Sequence, residues 1–217
     1  TLEITVDGGT DASNNGVAYF DGVFTAGETE EVGTLAVYRS VQNGDWDDSN
    51  TWDQSGTPDG NPVVIEASDS VATNGDGRRA SNLKIYGILN IASDVGHDLG
   101  TVTGTGTLII SSSTFPGGDY SGFVAADSGT VRYIGTVTFP PQKTYNNLII
   151  PDPGTKTLPN EDVVVNGDVQ ILDGTLDAST NNRDLSVRGD WTNNSSFNSG
   201  TGTVTFSRNS GSQSIGG

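Results

Sequence analysis

VVVNGDVQI (163–171) and LSVRGDW (185–191) carry one short pattern twice: an apolar residue, any residue, Gly, Asp and a large apolar residue, at VNGDV (165–169) and VRGDW (187–191). Gly167 and Gly189 mark the interval between the two copies, and Gly106 and Gly129 stand nearly the same distance apart. GTV at 129–131 returns at 202–204, roughly three such intervals on, and GTGTLII (104–110) matches GTGTVTF (200–206) in pattern, position by position. A further set of strings opens with Asn or Asp and continues with Leu, any residue, and Ile or Val: NLKI (82–85), NLII (147–150) and DLSV (184–187). Self-similarity at a fixed short interval is the mark of a repeat architecture, and a period of about 22 residues suits one turn of a β-solenoid with two or three short strands per coil.

The rest of the chain agrees with strands. Apolar and polar residues alternate in LAVY (35–38), PVVIE (62–66), LKIYGILNI (83–91), TVRYI (130–134) and TVTF (203–206), and no window places apolar residues at helical spacing. The 30 glycines weaken any helix further and suit tight corners. A sandwich of hairpins would place Asn-Gly turns between strands of matched length, whereas the Asn-Gly pairs at 43–44, 74–75 and 166–167 fall inside the repeat unit. The predicted fold is therefore all-β, a right-handed parallel β-helix in which stacked coils bury inward Val, Ile and Leu that no coil can bury alone. At roughly 23 residues per coil, about 170 residues give about seven coils and a rod of about 35 Å. Residues 1–42 lack the repeat and read as an N-terminal β segment, either a cap over the first coil or the tail of a preceding domain; residues 43–217 read as the solenoid. Where the string after GTVTF stops, another NNL strand is due, so the solenoid is expected to continue in a longer polypeptide.

Composition narrows the partners. With 27 acidic and 10 basic residues the net charge is −17, which repels phosphate backbones and anionic lipid, so no nucleic-acid partner is expected. No apolar run is long enough for membrane insertion, and the absence of Cys removes disulfide and thiol chemistry.

The candidate site lies in NGDWDDSNTWDQSG (43–56), where Trp46 and Trp52 flank a Ser-Asn-Thr corner. The two indoles read chiefly as a plug for the end of the solenoid, and alternatively as a ligand-binding platform that stacks on surface glycans. Asp45, Asp47, Asp48 and Asp53 offer oxygens to Ca2+, but the stretch lacks the Gly and Glu positions of an EF-hand loop and reads rather as a solvated acidic turn. RGD at 188–190 fills the slot of NGD at 166–168, so it reads as a repeat corner before it reads as a receptor motif. Trp191 occupies a core position of the repeat, His97 stands without a second His or Cys and reads as a loop residue, and the pair Arg78-Arg79 reads as a solvated corner. Stacked carboxylates such as Asp168 and Asp190 raise the question of polysaccharide hydrolysis, yet the Asn-Thr-Asp, Gly-His-Gly and Arg-Ile-Lys signatures of β-helical pectin hydrolases are missing, and no catalytic residue is assigned.

VYRSVQNGDWDDSNTWDQSG (37–56) and VRGDWTNNSSFNSGTGTVTFSRNSGSQSIGG (187–217) resemble the repeats of large secreted surface proteins of Bacteroidetes, exported by the type IX secretion pathway, among them adhesin-like and gliding-associated proteins. The resemblance covers residues 37–217 and implies a right-handed parallel β-helix at the bacterial cell surface, with no catalytic residue identified. One departure is LNIASDVGHDLGTVTGTGTL (89–108), which is longer than its later equivalent and predicts a loop on one coil. The function expected from residues and resemblance together is a non-catalytic structural or adhesive rod, extracellular, whose partners are neighbouring domains of the same polypeptide. A carbohydrate-binding module and a polysaccharide-active enzyme are the alternatives.

Overall fold

The computed structural model describes residues 36–217, which form a right-handed parallel β-solenoid with no α-helix among them. Most of the expected N-terminal cap, residues 1–35, lies outside the described residues. The first paired strand, Tyr38–Arg39, already belongs to the first coil, where it pairs with Val63–Ile65.

One long sheet of nine parallel strands runs through every coil, from Gly44–Asp45 to Ile215–Gly216. Its inward column is Val71, Leu89, Leu108, Val131, Leu148, Val169 and Trp191, each opposite the next in register. All seven are buried, and each apolar side chain so covered contributes roughly 1.5–3 kcal/mol. Nine strands make eight steps of the coil, one more than the spacing predicts, or a stack of about 38 Å at ~4.8 Å per step. The coils are uneven: a short one carries Val131 to Leu148, and a long one carries Gly44 to Val71. The handedness follows from the right-twisted strand, which returns to a parallel neighbour by a right-handed connection.

The coil changes cross-section partway along. In the early half each coil adds one flank strand: Tyr38–Arg39, Val63–Ile65, Asn82–Ile85, Asp98–Thr103 and Gly117–Asp119 form a five-stranded sheet. In the late half each coil adds two. A threonine-rich sheet runs through Val137–Thr138, Thr155–Thr157, Thr175–Asp177 and Ser196–Asn198, and a late flank through Thr144–Tyr145, Val163–Val165, Leu185–Val187 and Val204–Phe206. Where the third side begins, the interior is filled by aromatic rings. Tyr133 stacks on Phe139 with centroids 3.8 Å apart, and its hydroxyl lies 3.0 Å from that of Tyr145, so two phenols buried away from water satisfy each other.

Corners are set by close approach. At Gly189 a Cβ would sit 2.2 Å from the Gly167 carbonyl carbon of the coil below, so the RGD slot admits only glycine where the backbones touch.

Several repeat strings turn out to lie on different sides. GTV at 129–131 opens a strand of the long sheet, whereas 202–204 leads into the late flank. NLKI, NLII and DLSV fall on the early flank, the long sheet and the late flank respectively. LKIYGILNI is two strands, Asn82–Ile85 and Ile88–Ala92, bent at Gly87. The stretch 89–108 spans one coil, Leu89 to Leu108, with a register shift between Asn90 and Ala92 and an unpaired connection at 93–97 before the early-flank strand Asp98–Thr103.

Candidate functional site

The first coil builds its end from the Trp46 and Trp52 segment. Asp48 accepts from the Asn50 backbone N–H at 2.9 Å and so caps the short 3-10 turn Ser49–Thr51, which folds the two tryptophans together. Trp52 Nε1 donates to the Trp46 carbonyl at 3.0 Å, the indoles meet edge to face at 5.5 Å, and Tyr38 packs on Trp52 at 6.3 Å. Trp46 is 2% and Trp52 4% exposed. Neither indole presents a face to solvent: both pack into the interior of the first coil.

The acids of the same stretch go separate ways. Asp45 accepts from the Asn74 side chain, Asp47 pairs with Arg78 at 2.7 Å, and Asp53 accepts from the Arg39 N–H at 2.9 Å. Among the described residues no three His, Asp or Glu side chains converge in a way that would hold a metal ion.

His97 lies in the loop the sequence predicts but is buried there, and of the expected solvated corner Arg79 is exposed while Arg78 is half-buried. His97 is buried, and its Nδ1 accepts from the Arg78 backbone N–H at 3.0 Å. Burial pushes its pKa down against the pull of Asp94 and Asp76, and Nε2 has no partner among the described residues. Arg78 Nε donates to the Thr73 carbonyl at 3.0 Å while its outer nitrogen holds Asp47. Lys156, which no reading of the sequence singles out, is fully buried in the threonine-rich sheet, its ammonium bonded to the Asp152 and Pro153 carbonyls at 2.6 and 2.9 Å and paired with the Asp152 carboxylate at 2.9 Å. Burial works to raise the Asp152 pKa, and Lys156 with the Gly135 N–H outweighs it and holds the carboxyl below the usual range.

The most developed polar surface is the corner where the late flank turns into the long sheet. Two columns run along it. In the inner one the Asn147 side-chain oxygen accepts from the Asp168 N–H at 2.9 Å, the Asp168 carboxylate from the Asp190 N–H at 2.7 Å, and the Asp190 carboxylate from the Ser214 N–H at 2.9 Å. Each coil thus caps the next with an Asn or Asp side chain, which is the physical reason for Asp in both NGD and RGD. In the outer column Arg188 donates to Asn166 at 2.7 Å, and Arg208 donates to the Arg188 carbonyl at 3.3 Å and to Asp190 at 2.6 Å. Asn147 and Asp168 of the inner column and Asn166, Arg188 and Arg208 of the outer one line a trough of about 740 Å3, bounded at one end by residues 126–128 and at the other by residues 208–210. The signal was present in the sequence as an Asn or Asp before the long-sheet strands Asn147–Ile150, Val169–Ile171 and Trp191–Asn193, but only stacking shows that the side chains form one surface.

Compared with protein-family models, with curated proteins and with solved structures, the chain finds no match.

Proposed function

We propose that residues 37–217 act as a non-catalytic rod segment of a large bacterial secreted or cell-surface protein, spacing or displaying neighbouring domains of the same polypeptide. The observation that supports this reading is the nine-stranded ladder that passes through every coil, with one register shift between Asn90 and Ala92, and continues across the change of cross-section. Bending such a stack requires backbone hydrogen bonds and an inward apolar column to open together, so the rod keeps its length under load. The acidic, Cys-free composition and the resemblance of residues 37–56 and 187–217 to surface repeats support an extracellular, adhesin-like setting.

Single-molecule pulling on the full chain between its termini tests the reading. Coils as short as Val131 to Leu148 and as long as Gly44 to Val71 should release in separate steps of about 60–90 Å, their extended length. A trace that reaches full extension without resistance, or turnover of polysaccharides by the purified protein with or without calcium, overturns it.

A further inference from the structure

We infer that the corner trough is a binding site for an extended, uncharged oligosaccharide of about four sugar units, a role independent of whether the rod acts as a spacer. The trough is lined from five successive corners, residues 126–128, 146–147, 166–168, 188–189 and 208–210, four steps of the coil and so about 19 Å long. That step is close to the advance of one pyranose in an extended chain, so successive sugars meet successive corners.

The floor has the chemistry for hydroxyl pairs. Planar amide, carboxylate and guanidinium groups of Asn147, Asn166, Asp168 and Arg188 line the trough; the two amides are held by their bonds within the solenoid, and the carboxylate and guanidinium present the groups that meet hydroxyls. Capacity is left over: among the described residues Arg188 spends its side-chain N–H groups only on Asn166, and the second Asp168 oxygen and the Asn209 side chain accept or donate no bond. The lining charges are Arg188 and Arg208 against Asp127 and Asp168, and Arg208 is itself paired with Asp190, so the trough carries no net positive charge in a chain of net charge −17. A neutral polyhydroxyl chain is therefore neither repelled nor steered, whereas polyanions meet the field of the whole protein.

Direction excludes the main competitor. The trough runs along the stack, across the strands, so an extended peptide lying in it finds no strand edge to pair with and gains no backbone ladder. No aromatic ring lines the trough, so affinity comes from hydrogen bonds exchanged with water and falls at about the millimolar level.

The test is an amide-resolved NMR titration of the full chain with cellohexaose, xylohexaose and mannohexaose, and with an oligogalacturonate as the acidic probe. At least one neutral hexaose should shift the amides of Asp168, Gly189 and Asn209 together. Arg188→Ala should weaken that binding about tenfold, and Asn209→Ala should weaken it several-fold. Arg183→Ala is the matched control: Arg183 bonds Asn160 of the preceding coil at 2.6 Å, as Arg188 bonds Asn166, but on the other edge of the late flank, outside the trough. It should bind like wild type, and equal melting of the Arg188 and Arg183 variants excludes a folding effect. The proposal is overturned if no neutral hexaose shifts these amides at about 10 mM, if the shifts fall elsewhere, if the two arginine variants respond alike, or if only oligogalacturonate binds.

Discussion

The early and late halves of the solenoid share one long sheet but close it differently. From Tyr38 to Asp119 two sheets face each other across aliphatic layers such as Ile65, Leu83, Ile85, Leu89, Leu99 and Leu108. From Thr130 onward three sheets enclose the interior, which opens with Tyr133, Phe139 and Tyr145 and carries a buried Lys156. Large aromatic groups lie at the start (Tyr38, Trp46, Trp52), at the change of cross-section, and at the last coils (Trp191, Phe197, Phe206). Regular coils close with branched aliphatics stacked on their like. Irregular places, where the stack of coils begins or ends or its cross-section changes, take larger side chains that reach further.

The largest effect is expected where the halves join. Tyr133→Ala removes a fully buried ring and leaves the Tyr145 hydroxyl without its partner, a loss of about 4 kcal/mol. Because each coil contacts only its neighbours, the loss should also uncouple the halves. In a Trp191→Phe background, fluorescence reports only Trp46 and Trp52 in the early half, while circular dichroism reports both. The two urea transitions should coincide without Tyr133→Ala and separate with it; coincident transitions in both would place the weak point elsewhere.

A smaller effect belongs to the late half alone. The positions in line with Lys156 are Val137, Leu176 and Phe197, so lysine is the one polar member of an apolar column. Lys156→Ala should cost about 3 kcal/mol, through the lost stem and the stranded Asp152 oxygens. Lys156→Met, which keeps the stem, should recover part of that in thermal melts at pH 7. A methionine variant no more stable than the alanine one would mean that the ammonium, and not the stem, carries the whole contribution.

The smallest effect is a pH dependence confined to the early half. Burial lowers the His97 pKa in the folded chain below the unfolded value of about 6.5, so its contribution is complete above that pH and is lost as pH falls through the folded value. The hydrogen bond from Thr73 outweighs burial and holds Asp94 low, so Asp94 adds stability above about 3.9 and loses it at more acid pH, a separate window. His97→Asn keeps an acceptor for the Arg78 N–H and does not titrate. Between pH 7 and 5 the amides of Arg78 and Asp98 should therefore exchange progressively faster in wild type than in the variant, while amides of the late half exchange alike in both.

How much of this was legible follows residue by residue. Strands with two inward apolar positions, such as Val163 and Val165 or Leu185 and Val187, announce themselves by alternation and by the recurring interval that places them in register. The threonine-rich sheet was invisible for the opposite reason: each of its strands sends one residue inward, Val137, Lys156, Leu176 or Phe197, and a single inward residue makes no pattern. The Trp46 and Trp52 pair was legible as two indoles flanking a corner, and the structure buries both. The trough was not, because its residues come from five corners that meet only when the coils stack.

By itself the sequence determined an all-β chain, the approximate length of a coil, and glycine and Asn or Asp at the corners, because alternation, tight turns and caps are local and read the same wherever they occur. For that same reason it could not say which side of the solenoid a string occupies, and GTV at 129–131 and at 202–204 went to different sheets. Only the tertiary structure decided that, along with the third side, the burial of His97 and Lys156, and the polar corner, since each depends on what lies one coil above and one coil below.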